Sequence, residues 1–254
     1  MFKKSFFLVW DKFGYFLACI GLDVLFFFAL GFFTAPVAFR MQKLFLQITA
    51  VFSSALKNLS SEQAILEILF SSEIIPFWRS LLLYALLFVF IIYLIYVLFQ
   101  SIAWNISLRI INKNIPYFRY LIFFAVINLF WFFIFIVYNL LDLLGDLRNV
   151  LGNSGDFGLI SIFANFFLII AVYFAVISYT VLKFKKSFVL GWKKYRVLLL
   201  NYFWVVLYFF VLNMFLSRLF FWNYNFAVVL GLFLFLPAVS WARVFMALNI
   251  EKVK

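Results

Sequence analysis

The chain has 254 residues, of which 69% are apolar or aromatic and only 12% charged. A soluble domain is about half apolar and about a quarter charged, and a water-soluble protein of this size has no interior that could hide the excess. The composition excludes a soluble enzyme, a disordered chain and a nucleic-acid-binding domain, despite a net charge of +12; it implies an all-α fold, a polytopic membrane helical bundle.

The chain opens on a basic, aromatic segment, Phe2 to Phe13, with Lys3, Lys4 and Lys12. The first apolar run, about 14–39, follows. It is far longer than the roughly 7–15 residues of a signal-peptide core, so it is expected to stay as a signal anchor. Cys19 within it reads as a small buried hydrophobe, and Asp23 interrupts it.

The connection from Arg40 to Pro76 is not a polar loop. Met41, Leu44, Phe45, Ile48, Val51, Phe52, Ala55, Leu56 and Leu59 fall on one helical face, with Gln42, Lys43, Gln47, Ser53, Ser54, Lys57 and Asn58 opposite. That spacing predicts an external amphipathic helix over about 40–59. Ser60 and Gln63 have capping-box spacing and predict a second such helix over 61–70. Two readings are open: interfacial helices resting in the headgroups, or a cap over a cavity.

Five further runs are each long enough to cross a bilayer core of roughly 20 helical residues: about 77–100, 120–143, 159–182, 197–217 and 226–248. Six transmembrane helices in one domain over 1–254 result. Continuous apolarity, without alternation, rejects a β-barrel. Pro237 removes a backbone donor in the sixth span and predicts a kink.

Lys and Arg set the orientation. With the N-terminus inside, 15 of the 21 basic residues fall inside, among them Lys3, Lys4, Lys12, Lys183, Lys185, Lys186, Lys193, Lys194 and Arg196. The outside holds six basic and six acidic residues. The expected location is the cell membrane, multi-pass, with both termini cytoplasmic. Anionic membrane lipids are the expected partners of the inside lysines and Arg196, and a membrane-protein partner or a second copy is a further expectation; nucleic acid is not.

The opening segment recurs. FKKSFFLVWDKF at 2–13 and FKKSFVLGWKKY at 184–195 agree at eight of twelve positions without a gap. Each copy leads into a span, and LRIINKNIPYFRY at 108–120 is a weaker third instance. These segments and the span count resemble uncharacterised six-span prokaryotic membrane families related to the membrane domain attached to some glycerophosphodiester phosphodiesterases. The resemblance implies the architecture and carries no catalytic motif or site residue.

Chemistry-bearing residues are few. With no His and one Cys, a metal site of imidazole or thiolate is not expected, and a His base for a nucleophile is impossible. No GxSxG, Walker A or HExxH pattern is present, so the chain reads as non-enzymatic with no cofactor. Asp142, Asp146 and Asp156 do not match a calcium loop and read as a solvated acidic end. Asn139, Asn165, Asn201 and Asn213 read as helix-joining amides.

An acid deep in a span is a functional hypothesis by default. Asp23 lies nine residues past Gly14, about 13 Å in, and its candidate partners are Arg243 in the sixth span and Asn128 in the third. Arg243 lies roughly 7–8 Å in from the other end of its own span. Either a structural pair or an ion-coupled site fits. The expected function is a non-enzymatic scaffold, assembly factor or subunit of a membrane complex. The alternative is a small-solute or lipid transporter or channel using Asp23 and the kinked sixth span.

Reporters fused at the N-terminus, near Lys186 and at Lys254 are expected to be cytoplasmic, and reporters near Asn58 or Gly155 external. A cytoplasmic readout at Gly155 would overturn the span assignment.

Overall fold

The computed structural model describes residues 2–56, 71–72, 74–150 and 157–254. Among these there are eight helices and no strand: α1 (Phe2–Asp11), α2 (Phe13–Leu56), α3 (Ile75–Ile110), α4 (Tyr117–Val150), α5 (Phe157–Val181), α6 (Phe184–Lys193), α7 (Tyr195–Trp222) and α8 (Tyr224–Val253). Six of them, α2, α3, α4, α5, α7 and α8, are long and apolar enough to cross a membrane. The protein is an all-α integral membrane protein.

Residues 40–56 do not form a separate amphipathic helix. They continue α2 without a break, through Pro36. No glycine C-cap or turn pair lies at the Phe39–Arg40 boundary, and Met-Gln-Lys-Leu are good helix formers. Ile48 is buried and Met41, Leu44 and Val51 are half-buried, while Gln42, Lys43, Gln47 and Ser53 are exposed. The capping pair Ser60–Gln63 and the helix expected over 61–70 lie outside the described residues. Similarly, α8 runs unbroken through Pro237.

The chain divides into two compact units, Leu25–Tyr96 and the remainder. The apolar runs of α2 and α3 give no sequence signal for this division, since each passes through it. In the unit Leu25–Tyr96, Phe26 meets Tyr96 edge-on at 6.1 Å, and Val37, Ile48, Ile74 and Ile95 are buried. The Ser71 carbonyl accepts from the Ile74 and Ile75 amides at the start of α3.

In the larger unit the buried residues concentrate near the C-terminal ends of α3, α5 and α8. Ser101, Ala103, Asn105, Ser107, Ala175, Ser178, Thr180, Ser240, Ala242 and Ala247 are all buried there. Small side chains let apolar helices approach closely where no hydrophobic effect drives association. The opposite faces present large apolar side chains outward, as at Phe133, Phe163, Phe203 and Phe233, which suits hydrocarbon as solvent.

The sequence repeat is also a structural one. α1 and α6 are both ten-residue helices. One lysine, Lys12 or Lys194, separates each from the long helix that follows. Ser5 and Ser187 are both fully buried, each donating to a carbonyl in the preceding turn, Phe2 and Lys183 respectively, at 2.8 Å. α6 packs on α5, with Phe188 stacked on Phe174 at 4.7 Å. α1 packs on α8, with Phe2 at 4.9 Å from Trp241. The third instance is not helical over its basic centre: 111–116 is a turn and loop between α3 and α4.

Among the described residues, two non-glycine positions have left-handed backbones, Asn112 (φ 67°) and Leu182 (φ 59°). Asn112 closes α3 in a Schellman arrangement: Lys113 N donates to Leu108 O at 2.9 Å and Asn112 N to Arg109 O at 3.0 Å. Leu182 ends α5 with a single bond to Ser178 O at 2.8 Å, a conformation costing a branched residue roughly 1–2 kcal/mol.

Gly191 of α6 lies close against α5. A Cβ there would lie 2.7 Å from Phe174 Cε1 and 3.0 Å from Ile177 Cδ1. Gly191→Val is expected to destabilise the detergent-purified protein by about 1–3 kcal/mol, read as a lower midpoint of thermal unfolding. Gly31→Ala, where a Cβ meets nothing within 4 Å, should leave the midpoint unchanged or slightly higher.

Candidate functional site

Asp23 projects from the first third of α2 and is 2% exposed. An ionised carboxylate in an apolar bundle must be neutralised and hydrogen-bonded, and three neighbours from two other helices do so. Arg243 of α8, 6% exposed, forks onto it: Nη1 donates to Oδ2 at 2.9 Å and Nη2 to Oδ1 at 2.6 Å. This is the bidentate guanidinium–carboxylate geometry that gives the strongest charge-assisted bonds.

Ser240 lies one turn before Arg243 on the same face of α8, and its Oγ donates to Asp23 Oδ2 at 3.1 Å. Gln100 of α3 bridges the two charges. Its Nε2 donates to Asp23 Oδ1 at 3.3 Å, while its Oε1 accepts from Arg243 Nη2 at 2.9 Å. Each carboxylate oxygen therefore accepts two hydrogen bonds. The arrangement is a closed clamp across α2, α3 and α8. Cys19, one turn before Asp23, is buried beside it in sequence and donates to Ala103 O at 3.5 Å.

Asn128 is not part of the clamp. It is buried in α4, where its Oδ1 accepts from Tyr179 OH of α5 at 2.7 Å and its Nδ2 has no partner among the described residues. Tyr120 OH donates to Tyr179 O at 2.9 Å and Trp131 Nε1 to Ser178 Oγ at 2.9 Å, so the α4–α5 contact is a polar seam of its own. Gln100 and Ser240 carry no distinguishing signal in the sequence. Gln100 reads as a polar span end, and Ser240 as one of many small residues. The i, i+3 spacing of Ser240 and Arg243 is the one pattern that could have flagged the latter.

Other intramembrane amides join helices locally. Asn201 Nδ2 donates to Asn249 Oδ1 at 3.0 Å, linking α7 to α8, and Tyr138 OH donates to Asn165 Oδ1 at 2.7 Å, linking α4 to α5. Asn139 donates to Phe135 O in its own helix, and Asn213 is exposed. Asp142 is exposed, whereas the Asp146 side chain and Asp156 lie outside what the structure describes.

Some basic residues are held by distant parts of the chain, and others are exposed. Lys12 Nζ donates to Arg109 O at 2.9 Å and to Asn112 Oδ1. Lys113 Nζ donates to Thr180 O at 2.7 Å and pairs with Glu251, itself approached by Lys254 at 3.6 Å. Half-burial pushes the Lys113 ammonium below its ordinary pKa, and the Glu251 carboxylate opposes this. Lys3, Lys4, Lys183, Lys185, Lys186, Lys193, Lys194 and Arg196 are exposed. Among the described residues no group of His, Cys, Asp and Glu could hold a metal ion. No protein-family model, no curated protein and no solved structure matches the chain.

Removing one partner of a buried ion pair leaves the other charge uncompensated. Asp23→Asn should lower stability by about 3–5 kcal/mol, and adding Arg243→Gln should restore part of the loss. Thermal unfolding of the single and double variants in detergent reads the coupling. Simple additivity of the two losses would contradict the clamp.

Proposed function

We propose that the protein is a non-enzymatic structural component of a membrane assembly: a scaffold, assembly factor or subunit that resides in the cell membrane with both termini cytoplasmic. The observation that carries this reading is the saturation of Asp23. A transport carboxylate must exchange its ligands with a proton, ion or substrate during each cycle. Asp23 instead spends both oxygens on four bonds from Arg243, Gln100 and Ser240, a geometry suited to fixing helices in place. The lack of a catalytic pattern in the sequence and the concentration of basic residues on the expected cytoplasmic side suit the same reading.

The test is purification of the tagged chain, at its native expression level, in mild detergent. A particle larger than the monomer, containing a stoichiometric membrane-protein partner that captures this chain reciprocally, or containing further copies of it, is the expected result. Solute uptake by the protein alone in sealed vesicles, abolished in the Asp23→Asn/Arg243→Gln double variant, would overturn the reading in favour of a transporter.

A further inference from the structure

We infer that the outward faces of α1 and α6 form a twinned docking surface for an anionic phospholipid bilayer. The two helices are structural copies, and each turns its buried serine inward. On the other side each presents the same strip at helical spacing. In α1 it is Lys3, Phe7 and Trp10, and in α6 it is Lys185, Val189 and Trp192. All six side chains are exposed, Trp10 to 68% and Trp192 to 77%. An indole left so far outside the protein, one helical turn from an aliphatic or aromatic neighbour and two from a lysine, matches the headgroup–acyl boundary, where apolar rings enter the chains and ammonium groups meet phosphates.

Charge specifies the lipid. Lys4 and Lys186 flank the strips, and Lys193 and Lys194 extend the α6 copy. Among the described residues none of these forms an ion pair, whereas Lys12 and Lys113 at comparable sites are held by carbonyls and Glu251. Among the described residues the basic side chains of both strips therefore have no acidic partner. Lysines at the N-terminal turn of each helix also oppose its macrodipole, so a nearby anionic surface relieves an unfavourable arrangement. Repetition of the strip on two helices doubles the lysines available to anionic headgroups.

The experiment reconstitutes the full chain in phosphatidylcholine bilayers containing a minor fraction of brominated lipid, either phosphatidylglycerol or phosphatidylcholine, and measures tryptophan quenching. Stronger quenching by the brominated phosphatidylglycerol is expected. The difference should shrink in Trp192→Phe and Trp10→Phe, which remove the reporters, and fade at high salt. Replacing Lys185, Lys186, Lys193 and Lys194 with Gln should lower the preference by up to about fivefold per lysine, and Lys→Arg at the same positions should keep it. Equal quenching by the two lipids overturns the inference. So does a preference undiminished in the Gln variant, or one that inorganic phosphate abolishes at matched ionic strength, which would indicate a discrete anion site.

Discussion

A carboxylate inside an apolar bundle admits few arrangements, and the fold of the larger unit follows from the one adopted. Ionised Asp23 needs a counter-charge and acceptors filled, so α8 must bring Arg243 within reach and α3 must bring Gln100. Those two requirements fix three helices against one another at a defined height. Apolar packing alone would not do so, because lipid tails compete with Leu and Phe on equal terms. The pair supplies direction where the rest of the interface supplies area.

The same logic operates at the helix ends. The last carbonyls of a helix have no intrahelical donor and carry the negative end of the macrodipole. At α3 that end receives the Lys12 ammonium, which precedes α2, and at α5 it receives Lys113, which precedes α4. In both cases the lysine at the entrance to an outgoing helix closes the exit of the helix that returns beside it. Lys113 goes further, since Glu251 near the end of α8 shares the same ammonium, tying three C-terminal ends together. Lys194, the equivalent residue before α7, is exposed. α7 and α8 are instead joined through Asn201 and Asn249. A lysine that reads as a topological charge thus has a second use as a cap, and which use it takes depends on whether a carbonyl end lies within reach.

The apolar runs made the six long helices legible, because a continuous stretch of some twenty apolar residues has few alternatives. Asp23 and Arg243 were legible as a pair for a similar reason: each is anomalous in its run and each is costly alone. Gln100 and Ser240 were not, since a polar residue near a span end and a serine in a helix are both ordinary. The extent of α2 was misjudged from pattern. A change from uniformly apolar to amphipathic sequence at Phe39–Arg40 marks a change of surroundings, and hydrogen bonding along the helix is indifferent to it. Asn128 illustrates the complementary limit, because depth along a span does not determine which neighbour a side chain faces, and α5 rather than α2 supplies its partner.

The duplicated segment shows how packing edits a repeat. At the eighth position of the 2–13 stretch stands Val9, buried among Phe16, Ile110 and Val244. Its counterpart is Gly191, whose missing side chain admits Phe174 and Ile177 of α5. Position five, Phe in both copies, has different surroundings: Phe6 is exposed, whereas Phe188 is half-buried between Phe174 and Trp131. Each copy nevertheless lies on a returning helix. For α6 that helix is α5, its covalent predecessor, and for α1 it is α8, at the far end of the chain. The first segment thus occupies beside the last helix the place that a chain connection enforces for the second. Phe2 against Trp241 and Val9 against Val244 do by contact what Leu182 and Lys183 do by covalent linkage. The retained serines and tryptophans are those whose role is set by the helix itself and its outward face, whereas Val9 and Gly191 differ where each copy meets a different neighbour.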